Sequence, residues 1–186
     1  MKDYILEIRK LIPEHMCKKI ISYFDNSFED AAITGKTSQG DVVKNIRNCT
    51  KRDILDSKTF GEKLILNYTK SKIFEITSQY QKKFNFLNTE IISQLDLLKY
   101  EANNYDAGYK YHVDMGPKST PRHLSISICL NNDFTGGEFK FNLNGIEIQM
   151  PQNIGDAIAF PSNFLFPHQV NKVLTGTRYA IIGWVV

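Results

Sequence analysis

Short alternating segments separated by glycine-containing turns occupy the half of the sequence that follows residue 88. The predicted strands are Ile91–Tyr100, His123–Leu130, Gly137–Leu143, Gly145–Met150, Ala157–Phe160, His168–Val173 and Arg178–Val186. The turn glycines between them are Gly136, Gly137, Gly145, Gly155 and Gly176. Short strands at this spacing are typical of a β-sandwich or jelly roll. The sequence therefore predicts a double-stranded β-helix, or jelly roll, over residues 91–186.

The first 90 residues show helical periodicity instead. Apolar residues recur every three or four positions within Glu14–Phe24 and within Phe60–Phe84, which predicts one helix in the first stretch and one or two in the second. Asp25–Arg52 is polar and contains glycine, so a long mobile loop or a loose hairpin is predicted there. The predicted fold class is thus α+β, with N-terminal helices flanking the jelly roll in a single domain of residues 1–186.

The composition supplies a hydrophobic core but identifies no partner. Hydrophobic residues make up 42% of the 186 residues, which is enough for a core of ordinary size. The 23 basic and 20 acidic residues are interspersed, and no basic run with interleaved aromatic residues predicts a nucleic-acid groove. A membrane span is not expected either, because no apolar stretch approaches the ~18 residues that one requires.

The three cysteines indicate the cellular compartment. Cys17, Cys49 and Cys129 are widely spaced, odd in number and form no Cys-x-x-Cys pair, in contrast to the cysteines of disulfide-stapled secreted domains. Charged residues also interrupt the first apolar stretch, which therefore does not resemble a signal peptide. The expected location is the reducing cytoplasm.

A histidine and an aspartate stand two residues apart at the end of a predicted strand. His112 and Asp114 would project to the same side, because side chains alternate between the faces of a strand. His168, which follows Pro167 at the start of another predicted strand, is the best third ligand. Two imidazoles and one carboxylate leave three coordination positions open, as in non-haem Fe(II) oxygenases. Without other features, a His-x-Asp pair is more simply a surface histidine and a turn aspartate.

Arg178 is the candidate partner for an anionic ligand. It lies ten residues after His168 (178 − 168), across a predicted hairpin that turns at Leu174–Thr177. In that hairpin, Arg178 would lie about four or five residues along the strand from the residue that pairs with His168. At ~3.3 Å per residue, the two positions would be roughly 13–17 Å apart. A keto acid bound to the metal would span this gap, and a guanidinium binds a carboxylate with two hydrogen bonds. The alternative is an arginine that only caps the sheet edge.

Several motifs follow one another in the order seen in one enzyme family. They are Gly108-Tyr109-x-x-His112-x-Asp114, Gly136-Gly137-Glu138-Phe139, Gly155-Asp156-Ala157-Ile158-Ala159-Phe160-Pro161, His168-x-Val170 and Gly176-x-Arg178-Tyr179-Ala180-Ile181-Ile182-Gly183-Trp184. From Leu97 to the C-terminus, the sequence resembles the prolyl 4-hydroxylase-type branch of the 2-oxoglutarate and iron-dependent oxygenases. The ordered set is far more specific than any single motif.

The resemblance implies a set of ligands and cofactors. The residues that match the metal triad are His112, Asp114 and His168. Arg178 matches the basic residue that binds the distal carboxylate of 2-oxoglutarate. The aromatic residues that match the co-substrate pocket are Tyr100, Tyr109 and Trp184. The implied cofactors are Fe(II), 2-oxoglutarate and dioxygen, with ascorbate as a candidate reductant.

One position departs from the family pattern. Cys129 stands where many relatives carry tyrosine or phenylalanine. An aromatic hydrogen bond to the co-substrate is therefore not expected there, and Cys129 is interpreted as a small buried residue. The departure leaves the metal triad unchanged.

The implied reaction is oxidative decarboxylation of 2-oxoglutarate to succinate and CO₂, coupled to hydroxylation of a C–H bond. The first substrate hypothesis is proline within an extended protein segment, as for a peptidyl-prolyl 4-hydroxylase. The alternatives are hydroxylation of a small molecule, a free amino acid or a nucleobase, and a non-catalytic β-sandwich binding module. The Asp25–Arg52 and Met115–Pro121 loops are placed to close over a substrate, although plain surface loops would have the same composition.

Overall fold

Antiparallel strands from both halves of the chain form the centre of the fold. A computed structural model describes residues 1–33, 41–85, 87–89, 91–116 and 121–186. In chain order the strands are β1 (Leu6–Ile8), β2 (Glu29–Asp30), β3 (Arg47–Asn48), β4 (Thr50–Asp53), β5 (Ile92–Glu101), β6 (Gly108–His112), β7 (Leu124–Cys129), β8 (Thr135–Gly136), β9 (Phe139–Leu143), β10 (Ile146–Gln149), β11 (Ala157–Pro161), β12 (His168–Val170), β13 (Val173–Thr175) and β14 (Thr177–Val185). The helices are α1 (Glu14–Phe24) and α2 (Phe60–Lys83), preceded by a short 3-10 helix at Lys2–Tyr4.

The strands are arranged in two main sheets. The larger, seven-stranded sheet has the order β1-β11-β7-β14-β5-β4-β2, and the smaller, five-stranded sheet has the order β10-β9-β12-β6-β3. A short third sheet pairs β13 with β8. The described residues are thus mainly β-structure with two α-helices, which confirms the predicted β-rich fold.

Alternation along the central strands divides the core into two parts. On β7, Ile126 and Ile128 belong to an apolar cluster that includes residues of both helices, whereas Ser125 points to the other side. The same alternation on β14 separates Ile181 from Ile182. One apolar cluster therefore lies between the helices and the large sheet, and a second lies between the two main sheets.

A capping box starts the long helix α2. The Thr59 hydroxyl accepts a hydrogen bond from the Glu62 backbone N–H at 3.2 Å, and the Glu62 carboxylate accepts one from the Thr59 N–H at 2.8 Å. The segment predicted as one or two helices is a single helix, which contributes Ile65, Ile73 and Ile76 to the core beside the large sheet. Neither of the described α-helices is long and apolar enough to cross a membrane.

The predicted hairpin between His168 and Arg178 is wrong. Strand β12 pairs with β6 and β9 in the small sheet, whereas β14 pairs with β5 and β7 in the large sheet. The predicted strand His168–Val173 is also divided, since β13 separates from β12 and pairs with β8. Gly176, at a φ of 73°, turns the chain from β13 into β14. A glycine turn looks the same in sequence whether the next strand stays in the same sheet or joins another one.

The Asp25–Arg52 segment matches the loose hairpin of the two predicted alternatives, since β2 pairs antiparallel with β4 and Ile33 pairs with Asp41. It contains β2, β3 and most of β4, of which β2 and β4 extend the large sheet and β3 extends the small sheet. Strands of this length show no detectable alternation, and their pairing with β5 and β6 is a tertiary contact that the local sequence does not encode. Residues 34–40 of this segment, and residues 117–120 of the predicted Met115–Pro121 loop, lie outside the described residues.

Candidate active site

Two histidines and an aspartate converge beside the small sheet. His112 is the last residue of β6, Asp114 follows two residues later, and His168 begins β12. Strands β6 and β12 are neighbours in which His112 and His168 pair directly. One ligand atom of each of the three side chains lies within 4.8 Å of the others. The register of the small sheet therefore places three metal-type ligands around one point.

The two imidazole rings present the same nitrogen to this point. His112 Nδ1 lies 2.8 Å from the Lys110 carbonyl oxygen, and His168 Nδ1 lies 3.0 Å from the Phe166 carbonyl oxygen. A carbonyl only accepts hydrogen bonds, so each Nδ1 carries the proton and each Nε2 keeps a free lone pair. The Nε2 atoms of His112 and His168 are 3.6 and 3.7 Å from the Asp114 carboxylate. This tautomer is the one that a metal-binding imidazole requires.

The surroundings favour a charged Asp114 and a neutral His168. Burial raises the pKa of Asp114, but His168 and His112 in their protonated forms, together with the Ser125 hydroxyl, outweigh burial and hold that pKa below its usual range. Burial and the nearby His112 lower the pKa of His168 to about 4. An ionised carboxylate and a neutral imidazole are the forms that bind a metal ion.

Asp114 is held through both its side chain and its backbone. The Ser125 hydroxyl donates to Asp114 Oδ2 at 2.5 Å, and Ser125 Oγ lies 2.8 Å from Ser162 Oγ. Arg122 Nη1 donates to the Asp114 carbonyl oxygen at 2.9 Å. Such outer partners fix the orientation of a ligating carboxylate.

Aromatic rings hold the imidazoles in place. The Tyr109 ring stacks on His112 with 3.4 Å between centroids, and the Phe139 ring stacks on His168 with 5.2 Å between centroids. Phe160 meets His168 edge to face at 4.9 Å. These ring contacts restrict the orientations that the two imidazoles can adopt.

Arg178 is a buried cation with no ionic partner among the described residues. It is 2% exposed, its Nε has no hydrogen-bond partner, and no carboxylate of the described residues lies within 4.0 Å of its guanidinium. Its Cζ lies 5.3 Å from the centre of the Tyr100 ring, which is buried beside it. Cys129, also buried, shares a small cavity with Arg178. An unpaired buried charge is costly, so the site is suited to a ligand that supplies a carboxylate.

Comparison with known proteins identifies the family. Residues 97–186 match the model of the 2OG-Fe(II) oxygenase superfamily. A PKHD-type hydroxylase of Colwellia psychrerythraea is 37% identical over 84 residues, which are 42% of this chain and 37% of that protein. A PKHD-type hydroxylase of Idiomarina loihiensis is 24% identical over 185 residues, which are 97% of this chain and 77% of that protein. Residues 97–186, just under half of the chain, thus match the 2OG-Fe(II) oxygenase superfamily, and the chain is similar to PKHD-type hydroxylases.

The fold of this oxygenase is shared with a solved prolyl hydroxylase. The structure of the Trichoplax adhaerens prolyl hydroxylase, in complex with a hypoxia inducible factor oxygen degradation domain peptide fragment, superposes with a TM-score of 0.83. The two chains are 16% identical, and the match covers 98% of this chain and 83% of the other. The cofactors of the superfamily are Fe(II), 2-oxoglutarate and dioxygen, and the donor set around Asp114 together with the unpaired Arg178 fits the first two.

A cavity of about 460 Å³ joins the triad to Arg178 in the oxygenase. Its volume is within the ordinary range for small-molecule sites. All the predicted site residues line it, namely Tyr100, Tyr109, His112, Asp114, His168, Arg178 and Trp184. The triad comes from the small sheet, whereas Arg178 and Trp184 come from β14 of the large sheet.

Sequence reasoning missed three cations in the cavity wall. They are Arg47, Lys51 and Arg122. Two of them lie on β3 and β4, inside the segment that was predicted to be a mobile loop or a loose hairpin. Arg122 precedes β7 and reaches the cavity across the Trp184 ring, with its Cζ 3.9 Å from the ring centre. No periodic pattern marks these positions, since they reach the cavity only through the pairing of distant strands.

Proposed function

We propose that the oxygenase is a Fe(II)- and 2-oxoglutarate-dependent hydroxylase, with Fe(II) held by His112, Asp114 and His168. The observation that carries the proposal is the buried, unpaired guanidinium of Arg178, which opens on the same cavity as the triad. Arg178 would bind the distal carboxylate of 2-oxoglutarate with two hydrogen bonds. Fe(II), 2-oxoglutarate and dioxygen together supply the oxidising chemistry of such a site.

The cavity walls would orient the co-substrate and exclude water. Tyr100 packs beside Arg178, and Tyr109 supports the ring of His112. Trp184 closes the large-sheet side, where it is almost fully buried. A dry cavity strengthens the pairing between a carboxylate and Arg178, because the local dielectric constant is low.

A prolyl residue within a peptide is the proposed substrate. Relatives of this chain are PKHD-type hydroxylases, and the fold is that of a prolyl hydroxylase that was solved with a peptide. Met115 lines the cavity, and its backbone N–H donates to Ser162, whose loop exposes Phe164 and Leu165. These exposed apolar side chains offer contacts for an extended chain that leads into the cavity. A peptide in the polyproline conformation is already stiff, so it would lose little entropy on binding.

The test is succinate formation from 2-oxoglutarate with Fe(II) in air, against a panel of proline-containing peptides. Mass spectrometry should find one added oxygen atom on the peptide, and the Asp114→Ala protein should be inactive. Asp56→Ala, an exposed aspartate that is ion-paired with Lys58, is the matched control and should retain activity. Activity retained in Asp114→Ala would contradict the iron site. Turnover of a free amino acid or a nucleobase, without turnover of any proline peptide, would contradict the prolyl substrate alone.

A further inference from the structure

The cavity of the oxygenase carries an excess of positive charge. Four basic side chains line it, and among the described lining residues Asp114 is the sole carboxylate. The basic residues are Arg47, Lys51, Arg122 and Arg178. Such a field favours an anionic occupant.

The proposed cofactors do not remove this excess. The charges of Fe(II) and doubly ionised 2-oxoglutarate cancel, and those of Asp114 and Arg178 cancel as well. Lys51 has an acidic partner of its own, since its Nζ lies 3.1 Å from Glu29 Oε1. Arg47 and Arg122 therefore remain as two cations with no ion pair within 4.0 Å in the described part of the chain.

Arg47 is buried among neutral groups. It is 9% exposed, Nη1 donates to the Ala32 carbonyl oxygen at 2.9 Å, and Nε has no partner. Its Cζ lies 4.8 Å from the centre of the Tyr109 ring, which itself stacks on His112. No carboxylate in the described part of the chain lies within 4.0 Å of the Arg47 guanidinium. A guanidinium on a ring face still directs its N–H groups outward in its own plane.

Arg122 is similarly placed beside another iron ligand. Its Nη1 and Nη2 donate to the Asp114 carbonyl oxygen at 2.9 Å and to Gln94 Oε1 at 3.0 Å, both neutral acceptors. Its guanidinium covers the Trp184 ring at 3.9 Å. As with Arg47, no described carboxylate lies within 4.0 Å of it.

A buried acid near this wall compensates the two arginines only in part. Asp96, on β5, accepts a hydrogen bond from Gln94 Nε2 at 2.6 Å, and its other oxygen has no partner. It forms no ion pair within 4.0 Å among the described residues. Burial raises the pKa of Asp96, although Lys51 and Arg47 oppose this effect, and Asp96 also acts on Arg122. One carboxylate that is not ion-paired therefore offsets two guanidinium groups only in part.

We propose that Arg47 and Arg122 bind a carboxylate of the substrate, so that the oxygenase selects a peptide with an acidic residue beside the hydroxylated position. The inference rests on the proposed hydroxylase function and adds the chemical class of its substrate. The Arg47 guanidinium contacts the Tyr109 ring, which stacks on the iron ligand His112. The Arg122 guanidinium donates a hydrogen bond directly to the iron ligand Asp114. A carboxylate bound there would hold the neighbouring residue next to the reactive centre.

The experiment compares peptides that differ only beside the proline. Peptides with Asp, Asn or Lys at that position are titrated by calorimetry, without oxygen, into enzyme loaded with Fe(II) and 2-oxoglutarate. The Asp peptide should bind about 10-fold or more tightly than the Asn peptide, the usual effect of a charge-assisted hydrogen bond. Arg47→Gln and Arg122→Gln should each reduce this ratio. Arg9→Gln, a half-exposed arginine paired with Asp156 away from the cavity, is the control and should keep the ratio.

Free amino acids and their amides form a second arm, which separates the sources of the carboxylate. Preference for a free acid over its amide, with no binding of any peptide, would support the arginine site and contradict a peptide substrate. The inference would be overturned if the Asp and Asn peptides bind equally, or if the ratio of their affinities is unchanged in both arginine variants. It would also be overturned if no carboxylate-bearing peptide or amino acid binds. If 2-oxoglutarate decay persists in that case, the proposed hydroxylase function still stands. If the wild-type enzyme shows no 2-oxoglutarate decay at all, the proposed hydroxylase function is contradicted instead.

Discussion

Arg178 is the residue on which the proposed co-substrate site depends most directly. Arg178→Ala should raise the 2-oxoglutarate concentration required for half-maximal rate by about 10- to 150-fold, because one charge-assisted contact contributes roughly 1.5–3 kcal/mol. Arg178→Lys should lose less affinity for 2-oxoglutarate, since lysine keeps the positive charge but cannot form two parallel hydrogen bonds to a carboxylate. The measurement is succinate formation across a 2-oxoglutarate titration. An unchanged requirement in Arg178→Ala would show that the arginine is only structural.

Ser125 is expected to act on the metal through Asp114. Its hydroxyl donates to Asp114 Oδ2, so Ser125→Ala should weaken Fe(II) affinity by about 10-fold, as is usual for the outer partners of metal ligands. Ser127 projects from the same side of β7 and makes no described contact with Asp114, so Ser127→Ala is the matched control. Competition with a chelator measures both affinities. Equal losses in the two variants would mean that β7 has been disturbed as a whole.

At this scale, the sequence motifs predicted which residues lie together in the cavity, while the roles of these residues remain predictions. His112 and Asp114 stand two residues apart in sequence and lie close in space, and Arg178 falls within an ordered family pattern. Arg47 and Arg122 have no such local context. They line the cavity only because β3 pairs with β6 and because β7 lies beside β14.

At the scale of the element, helix α2 depends on its capping box. Thr59→Ala removes the acceptor for the Glu62 N–H and should lower the free energy of unfolding by about 1 kcal/mol. Ser71→Ala, at an exposed position in the middle of α2, is the control and should change it far less. Urea denaturation followed by circular dichroism measures both. A loss in Ser71→Ala as large as that in Thr59→Ala would remove the capping explanation.

Strands were predictable where both faces are distinct and the strand is long enough to show alternation. Strand β7 satisfies both conditions, whereas β14 is a continuous apolar run bounded by the turn at Gly176, and the predicted limits of β5, β7 and β14 differ from the observed ones by a residue or so. The two-residue strands β2 and β3 satisfy neither. The hairpin error has a different cause, because sequence periodicity reports which face of a strand is buried and not which sheet the strand joins.

At the scale of the whole molecule, the candidate site bridges two sheets. The small sheet contributes the metal-type ligands, and β14 of the large sheet contributes Arg178 and Trp184. A co-substrate bound to both would therefore connect the two main sheets across the cavity. Metal alone would connect only β6, β12 and the residues that follow β6.

This difference predicts an ordered pattern of ligand stabilisation. Fe(II) alone, kept anaerobic, should raise the melting temperature, 2-oxoglutarate alone should have little effect, and the two together should raise it further. At a ligand concentration 100-fold above Kd, the gain for each step is about 2.7 kcal/mol, or roughly 5–10 °C for a chain of this size. Differential scanning fluorimetry measures the shifts, and a chelator should reverse them.

Arg178→Ala separates the two contributions to this stabilisation. The variant should keep the shift caused by Fe(II), because its triad is intact, and should lose most of the increment caused by 2-oxoglutarate. Asp114→Ala should lose both, since the co-substrate would no longer have a metal to bind. A full 2-oxoglutarate increment in Arg178→Ala, or an increment without metal in the wild-type protein, would place the co-substrate elsewhere. In either case the buried, unpaired guanidinium of Arg178 would need a different ligand.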